Sequence, residues 1–455
     1  MPHPPRATPS SRGVPERALL DLVEDLSAGG LDPHALVVVR HGDVVLDTAW
    51  RPWSGDHPAL VYSASKTVTA LAIGLLADDG LLGLDDAVGP HLGVADPHHL
   101  TVRQLLGMRT GHDREQTLAM PLTVAALLGT PPRHAPGHVA YSSPASLVLS
   151  ALVTRLTGER LGDVAGPRIL APLGIGPRWW RPAGDLDQGY SGLHLTAGDL
   201  ARLTLLLARG GVWHGRQVVP AWFVREMTDD VAPVVGESAA DWSRGYGLHV
   251  WRSTHGFRLD GAYGQLGVAV PERGLVVAIL GASTDVERTL AACWRLLGTL
   301  ADHPLEPDDD AARALAERTS SLDSWDARDA LAAGDAVDLD ALGSWTLREA
   351  AEGDGWLLSL GDAAGPAVPV PAHGWHHAVL PRGDDVLVLA ARGERLPDGG
   401  VRAHVVVPTS PHRLILHRDP AGALTAHWHT TPLWDASPSA LTVPPELARP
   451  APVLP

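Results

Sequence analysis

The sequence of 455 residues contains one cysteine, Cys293, so it can form no internal disulfide. Cys293 lies in a stretch of helical periodicity, residues 289–300, which predicts a buried apolar thiol. No apolar run precedes Ala18, so neither a signal peptide nor a membrane anchor is visible, and we predict a cytoplasmic protein. The net charge of −16 disfavours nucleic acid and anionic lipid, so we expect neither a nucleic acid nor a membrane as a partner.

Lysine is almost absent from the chain. Lysine and arginine together number 36, and position 66 holds the only lysine, which leaves 35 arginines. Arginine serves wherever only positive charge matters, but it does not deprotonate in a protein, whereas a desolvated lysine can lose its proton and act as a base. We therefore expect Lys66 to carry out proton chemistry.

The apolar pattern predicts two domains joined by an acidic segment. In residues 1–303 it predicts an early β-hairpin, a buried helix over residues 63–79, a helical middle and late strands. The predicted strands are residues 35–40, 44–48, 246–252, 257–262, 265–270 and 275–280, and the outer helices are residues 16–26 and 285–300. This order indicates an α/β (α+β) fold: one antiparallel sheet, assembled from both ends of the segment and flanked by helices, with a helical insertion.

The composition changes after residue 303. Residues 304–340 are acidic and rich in Ala, Asp and Pro, which predicts a linker with short helices. In residues 341–455, closely spaced strands and turn residues predict a small antiparallel β-barrel or sandwich. The predicted strands are residues 356–360, 386–391, 401–407, 412–418 and 424–429.

Histidines are frequent in this C-terminal region: His373, His376, His377, His404, His427 and His429. His427 and His429 would share one face of a strand, a spacing that can bind a metal. Because no cysteine or acidic ligand pattern accompanies them, we interpret them as surface residues and predict no metal and no other cofactor.

The strongest chemical signal is Ser63-Ala-Ser-Lys66, at the start of the predicted central helix. A step of three residues on a helix places two side chains on one face, so the Lys66 amine can reach the Ser63 hydroxyl. At a helix N-terminus the backbone N–H of Ser63 is free to donate to an oxyanion, and the helix dipole favours the developing negative charge. The pattern predicts a nucleophilic serine with a buried lysine as its base.

With Tyr62 and Thr67 on either side, this motif resembles that of the serine β-lactamases and penicillin-binding proteins. The resemblance to the class C-like branch extends over about residues 15–300, because further segments follow in family order. These segments are Thr101–His112, Gly192–Arg202 and Gly211–Gly215. The resemblance implies a β-lactamase/transpeptidase-like catalytic domain that works through an acyl-enzyme on Ser63.

The family's second motif, Tyr-x-Asn, corresponds to Tyr141-Ser142-Ser143. The resemblance implies that the Tyr141 phenol shuttles a proton between Ser63 and the leaving group, with Lys66 holding it in its reactive state. Ser143 stands where the family has asparagine, so a shorter hydroxyl replaces the side-chain amide that would meet the substrate.

The third motif is Lys or His, any residue, then Gly, and the matching segment is Leu259-Asp260-Gly261-Ala262-Tyr263. The resemblance implies that Gly261 lets substrate approach the strand and that Ala262 N–H is the second oxyanion donor. Asp260 and Tyr263 flank the same edge and are expected to contact substrate. The missing cation normally meets the carboxylate of a β-lactam or peptide, so we expect ester or amide substrates instead.

Three functions remain open. The first is hydrolysis of an ester or amide in a small molecule or peptide. The second is acyl transfer, because peptide cyclases of nonribosomal peptide assembly resemble this arrangement, with a lipocalin-like barrel behind the catalytic domain and a carrier-bound peptide as substrate. The third is a catalytically silent ligand-binding module. Since every proposed catalytic group precedes residue 265, we expect the C-terminal region to be dispensable for reaction with small activated esters.

Overall fold

The computed structural model describes residues 4–331, 333–339, 345–351, 353–361 and 367–448, so the predicted boundary at 340/341 lies outside the described residues. The helices are α1 Glu16–Ser27, α2 Ser65–Asp78, α3 Val88–Leu92, α4 Val102–Leu106, α5 Arg114–Ala119, α6 Val124–Gly129, α7 Ser143–Thr157, α8 Leu161–Ala165, α9 Ala197–Ala208, α10 Ala221–Asp229, α11 Val286–Thr299 and α12 Asp309–Ser320. The strands of this part are β1 Pro33–Arg40, β2 Asp43–Ala49, β3 Ala59–Leu60, β4 Pro182–Ala183, β5 Leu186–Asp187, β6 His194–Leu195, β7 Val212–Trp213, β8 Arg216–Gln217, β9 Trp251–Arg252, β10 Phe257–Gly261, β11 Gln265–Val270 and β12 Leu275–Gly281. In the described residues, no helix is long and apolar enough to cross a membrane.

One antiparallel sheet organises this part, in the order β2-β1-β12-β11-β10-β9. The predicted assembly from both chain ends around a helical insertion is confirmed. Every residue of β1 is buried, because helices cover both faces of the sheet. Val37 and Val39 face the core around α2, whereas Leu36 and Val38 face the core under α1 and α11, which also buries Cys293 as predicted.

The strand predicted over residues 246–252 is wrong apart from Trp251–Arg252. The chain before it is bent instead. A side chain at Gly247 would clash with the Met227 carbonyl, and His249 has a left-handed φ of 59°. The bend turns Tyr246 into the core, where its ring lies edge-on to that of Tyr141.

The acidic segment after residue 303 is packed against the first part of the chain. Its helix α12 buries Ala311 and Leu315, and Leu315 belongs to the core under α1. The Arg318 guanidinium reinforces this packing by donating to the Glu24 carboxylate at 2.9 Å. The apolar side of α12 therefore fixes the position of this helix against the first part of the chain.

The C-terminal strands form two antiparallel sheets around one shared core, so the predicted separate β-region is confirmed. The three-stranded sheet contains β13 Thr346–Glu349, β14 Gly355–Ser359 and β15 Val368–Pro371. The five-stranded sheet follows chain order through β16 His376–Arg382, β17 Asp385–Arg395, β18 Val401–Val406, β19 Arg413–Arg418 and β20 Leu424–Trp428. Trp428 is wholly buried in the shared core.

A buried ion pair joins the five-stranded sheet to the first part of the chain. Arg413 donates to Asp32 at 2.7 Å, and both side chains are fully buried. His404 and His429 are buried in the same region, so their predicted surface position is wrong. Burial acts to raise the pKa of Asp32, but Arg413 and His34 together hold it well below its usual range.

We predict that Arg413→Leu lowers the free energy of unfolding by about 3–5 kcal/mol, because it leaves the buried Asp32 carboxylate without its partner. Urea unfolding followed by circular dichroism measures the loss. Combining Arg413→Leu with Asp32→Asn should recover much of it, because asparagine carries no charge and tolerates the left-handed φ of 42° at this position. The control Arg17→Leu breaks the exposed pair with Asp21 and should have a much smaller effect. Equal losses in Arg413→Leu and Arg17→Leu would contradict the prediction.

Candidate active site

The turn that carries Ser63 differs from the predicted helix start. Residues Tyr62–Ala64 form a 3-10 turn, and α2 begins at Ser65. Tyr62 has a left-handed φ of 46°, a strained conformation for a bulky residue. The Ser65 hydroxyl donates to the Tyr62 carbonyl at 2.6 Å and accepts from Leu193 N–H at 3.1 Å. These bonds hold the strained turn and orient the residue between them, Ser63.

Lys66 lies directly beneath the Ser63 hydroxyl. Its Nζ is 3.0 Å from Ser63 Oγ and donates to the Tyr190 carbonyl at 2.7 Å. Only 1% of Lys66 is exposed, which agrees with its predicted burial. Burial lowers its pKa to about 7, because the charged amine is deprived of water. The amine can therefore exist in its neutral, basic form near neutral pH.

Tyr141 lies next to the pair formed by Ser63 and Lys66. It comes two residues before α7, and its ring centroid is 4.8 Å from Lys66 Nζ. Its ring stacks on Trp251 at 5.6 Å. Burial raises the pKa of Tyr141, and a hydrogen-bonding interaction with Ser63 opposes that rise. The phenol consequently stays protonated at neutral pH and is suited to donate a proton.

Two aromatic residues that build this site were not predicted from the sequence. Tyr190 supplies the carbonyl that holds Lys66, and Tyr246 packs edge-on against the Tyr141 ring. A compositional signal was available, because the chain has only five tyrosines. Tyr62 and Tyr263 contact each other at the turn that carries Ser63, Tyr141 and Tyr190 lie near Lys66, and Tyr246 packs on Tyr141.

Gly261 lies where strand β10 passes close to the turn that carries Ser63. A Cβ at this position would lie 2.2 Å from the carbonyl oxygen of Val61. The close approach that glycine permits is thus between β10 and the chain entering the nucleophile turn. Strand β10 packs directly against the backbone that leads into the turn carrying Ser63.

Asp260 belongs to a buried charge network behind this strand. Arg258 Nε donates to its carboxylate at 2.7 Å, and the guanidinium lies 4.5 Å from the Trp242 ring. Arg258 is fully buried, so its charge is committed to this network and cannot meet a substrate carboxylate. Burial raises the pKa of Asp260, and Arg258 opposes the rise.

The remaining predicted site residues are Ala262, Tyr263 and Ser143. Ala262 and Tyr263 form the turn after β10. Their carbonyl oxygens accept hydrogen bonds from Gln265 Nε2 at 3.2 and 3.3 Å. The Tyr263 hydroxyl donates to the Thr431 carbonyl of the C-terminal region. Ser143 is the half-buried first residue of α7.

Metal ligands are not clustered anywhere in the described part of the chain: no three His, Cys, Asp or Glu side chains there could hold an ion together. His249, whose carbonyl accepts a hydrogen bond from Thr67, is engaged by protein groups. Its Nε2 lies 2.9 Å from the Ser146 hydroxyl, and its Nδ1 lies 2.7 Å from the Leu106 carbonyl oxygen. Burial lowers its pKa to about 3, so it stays neutral.

Comparison with solved structures supports this architecture. A penicillin-binding protein homologue from Caulobacter crescentus matches with a TM-score of 0.51 at 19% identity, over 62% of this chain and 96% of that chain. SurE matches with a TM-score of 0.51 at 20% identity, over 90% of this chain and 98% of that chain. An octameric penicillin-binding protein homologue from Pyrococcus abyssi matches with a TM-score of 0.50 at 17% identity, over 90% and 99%. At these identities the likeness concerns the fold alone, and in the last two it includes most of the C-terminal region.

Sequence comparison identifies the family. A stretch of 88 residues is 35% identical to the esterase/beta-lactamase LipL of Mycobacterium tuberculosis, covering 17% of this chain and 20% of LipL. The match thus spans about a fifth of that relative's length. The Beta-lactamase family model matches residues 21–301, well over half of the chain. The protein therefore belongs to the Beta-lactamase family and has its serine hydrolase fold.

Proposed function

We propose that the protein hydrolyses an ester or amide bond through an acyl-enzyme on Ser63. The observation that carries the proposal is the buried amine of Lys66, 3.0 Å from Ser63 Oγ, with its pKa lowered to about 7 by burial. A serine hydroxyl is a weak nucleophile until a base accepts its proton. A lysine that is neutral near pH 7 is such a base, and the chain has only this one.

In the acylation step, Ser63 Oγ bonds to the substrate carbonyl carbon and its proton passes to neutral Lys66 Nζ. The carbonyl electron pair moves onto oxygen, and the N–H groups of Ser63 and Ala262 stabilise the resulting oxyanion. When the oxyanion collapses, the bond to the leaving group breaks. The Tyr141 phenol protonates the leaving group and regains a proton from Lys66.

Deacylation uses the same groups in reverse. A water molecule attacks the acyl carbon and gives up a proton to Lys66, which is neutral again at this point. The bond from the acyl carbon to Ser63 Oγ then breaks, and Oγ recovers a proton through Tyr141. If an amine attacks in place of water, the product is an amide, which is the acyl-transfer alternative.

The absence of the family's cation near Ser63 favours an uncharged acyl group. The residue at the position of the family's cation is Leu259, which is buried. A cavity of about 280 Å³ adjoins Tyr62, next to Ser63. Its lining includes the apolar residues Leu60, Leu433 and Trp434 and the charged residues Arg181 and Asp435. Trp434 is 53% exposed there, so its apolar surface is available for a substrate to cover.

We predict that Ser63→Ala abolishes ester turnover and covalent labelling by a fluorophosphonate, because only the attacking hydroxyl is removed. Intact-mass spectrometry detects the adduct, and circular dichroism checks the fold. A screen of p-nitrophenyl esters, D-amino-acid amides and peptidyl thioesters, with and without an added amine, then distinguishes hydrolysis from acyl transfer by its products. A labelled Ser63→Ala protein would contradict the nucleophile assignment.

We predict that Lys66→Arg loses about 100- to 10,000-fold in kcat/KM, nearly as much as Lys66→Ala, because guanidinium keeps the charge but cannot accept the proton. In the wild-type protein, kcat/KM should rise with pH through about 7, since the neutral amine is the active form and burial has lowered its pKa from 10.5. A pH–rate profile measures this rise. Retention of more than roughly a tenth of the activity by Lys66→Arg would make Lys66 an electrostatic residue only.

We predict that β-lactams acylate Ser63 slowly or not at all, because no lysine or histidine precedes Gly261 and Arg258 is buried against Asp260. Nitrocefin hydrolysis and intact mass after incubation with penicillin measure the reaction, with ester turnover by the same preparation as the control. Nitrocefin turnover as fast as ester turnover would show that another cation binds the carboxylate.

A further inference from the structure

The residue directly before the nucleophile is bonded to a histidine of the C-terminal region. The Tyr62 hydroxyl lies 2.5 Å from His412 Nε2, although 350 positions separate the two residues in sequence. Tyr62 is 2% exposed and His412 is fully buried, so water does not compete for this bond. No step of the proposed chemistry uses His412.

The donor and acceptor of this bond follow from the other side of the imidazole ring. His412 Nδ1 lies 2.7 Å from the Thr430 carbonyl oxygen, which can only accept a hydrogen bond. Nδ1 therefore carries the proton and Nε2 is the acceptor, so the Tyr62 hydroxyl donates to Nε2. Burial lowers the pKa of His412 to about 3, which keeps the ring neutral and this arrangement intact at ordinary pH.

Aromatic packing fixes the ring in place. His412 makes edge-on contacts with Tyr62, Tyr263 and Trp428, at centroid distances of 5.7, 5.5 and 5.8 Å. Trp428 is part of the C-terminal core, whereas Tyr62 and Tyr263 belong to the active-site part. His412 is thus held rigidly by one part of the chain and presents its acceptor to the other.

The bond acts on a strained piece of backbone. Tyr62 holds a left-handed φ of 46°, and the next residue is Ser63. Strain of this kind persists only where the surroundings over-determine the conformation. The Ser65 hydroxyl fixes the Tyr62 carbonyl on one side of the turn, and His412 fixes the Tyr62 side chain on the other.

We propose that His412 is a positioning residue for the nucleophile. By accepting a hydrogen bond from Tyr62, His412 holds the strained turn that aims Ser63 Oγ at the substrate. The inference rests on the proposed function of Ser63. If His412 has this role, the C-terminal region is needed for full reaction with small activated esters, contrary to the expectation from the sequence. Removing that region would remove His412 and expose Tyr62.

The test compares Tyr62→Phe, His412→Leu, their double variant and His412→Gln in the full-length chain. The readouts are the rate of Ser63 labelling by a fluorophosphonate, and kcat and KM for a p-nitrophenyl ester. Each single loss of the bond should lower kcat roughly three- to tenfold with KM unchanged, the effect expected of one net hydrogen bond. The double variant should react no more slowly than His412→Leu, because both changes remove the same bond. His412→Gln keeps an acceptor within reach of Tyr62 and should react at least twice as fast as His412→Leu.

Glu394→Gln is the matched control. It weakens the bond from Arg328 at 3.1 Å, which joins the acidic segment to β17 away from Ser63. It should leave labelling and kcat unchanged. Thermal unfolding shows which variants fold, and Tyr62→Phe, which keeps the packed ring, carries the test if His412→Leu does not fold.

The inference is overturned if Tyr62→Phe matches the wild-type kcat, if the single effects add in the double variant, or if Glu394→Gln slows labelling equally. In each of these cases normal labelling of wild-type Ser63 leaves the proposed function intact. Labelling of the wild-type protein at a residue other than Ser63 would overturn both.

Discussion

The desolvated amine of Lys66 is the constraint around which the rest of the structure is arranged. It keeps one strong bond, to the Tyr190 carbonyl, and otherwise faces Ser63 Oγ and the rings of Tyr141 and Tyr190. Burying a lysine charge costs several kcal/mol, so the surroundings favour the neutral amine. The helix behind it, α2, is buried over almost its whole length, which denies water access from the core side.

Three separate parts of the chain enclose Lys66 and the turn that carries Ser63. Strand β10 approaches the nucleophile turn closely because residue 261 is glycine. The segment containing Tyr190 covers Lys66. The C-terminal region reaches the turn through His412, which bonds to Tyr62, and through Thr431, which bonds to Tyr263. The C-terminal region is therefore a structural part of the surroundings of this turn. Its position depends on buried contacts such as the pair between Arg413 and Asp32.

The sequence predicted local features well and long-range partners poorly. The strands Phe257–Gly261, Gln265–Val270 and Leu275–Gly281 lie within one residue of prediction, because each is a bounded apolar run. Residues 246–250 read as a strand from composition, but packing against α10 bends them. His404 and His429 are interpreted as surface residues because no cysteine or acidic ligand pattern accompanies them, but packing buries both.

By itself, the sequence determined the family, the sheet assembled from both chain ends, and the pairing of Ser63 with Lys66, because a three-residue step on a helix fixes that pair locally. Only the tertiary structure decided the rest. It placed the Tyr190 carbonyl on Lys66, engaged Arg258 with Asp260, set Gly261 against the nucleophile turn, and brought His412 to Tyr62. These contacts join residues far apart in the chain or depend on burial, and both are set by packing, which no local pattern of side chains records.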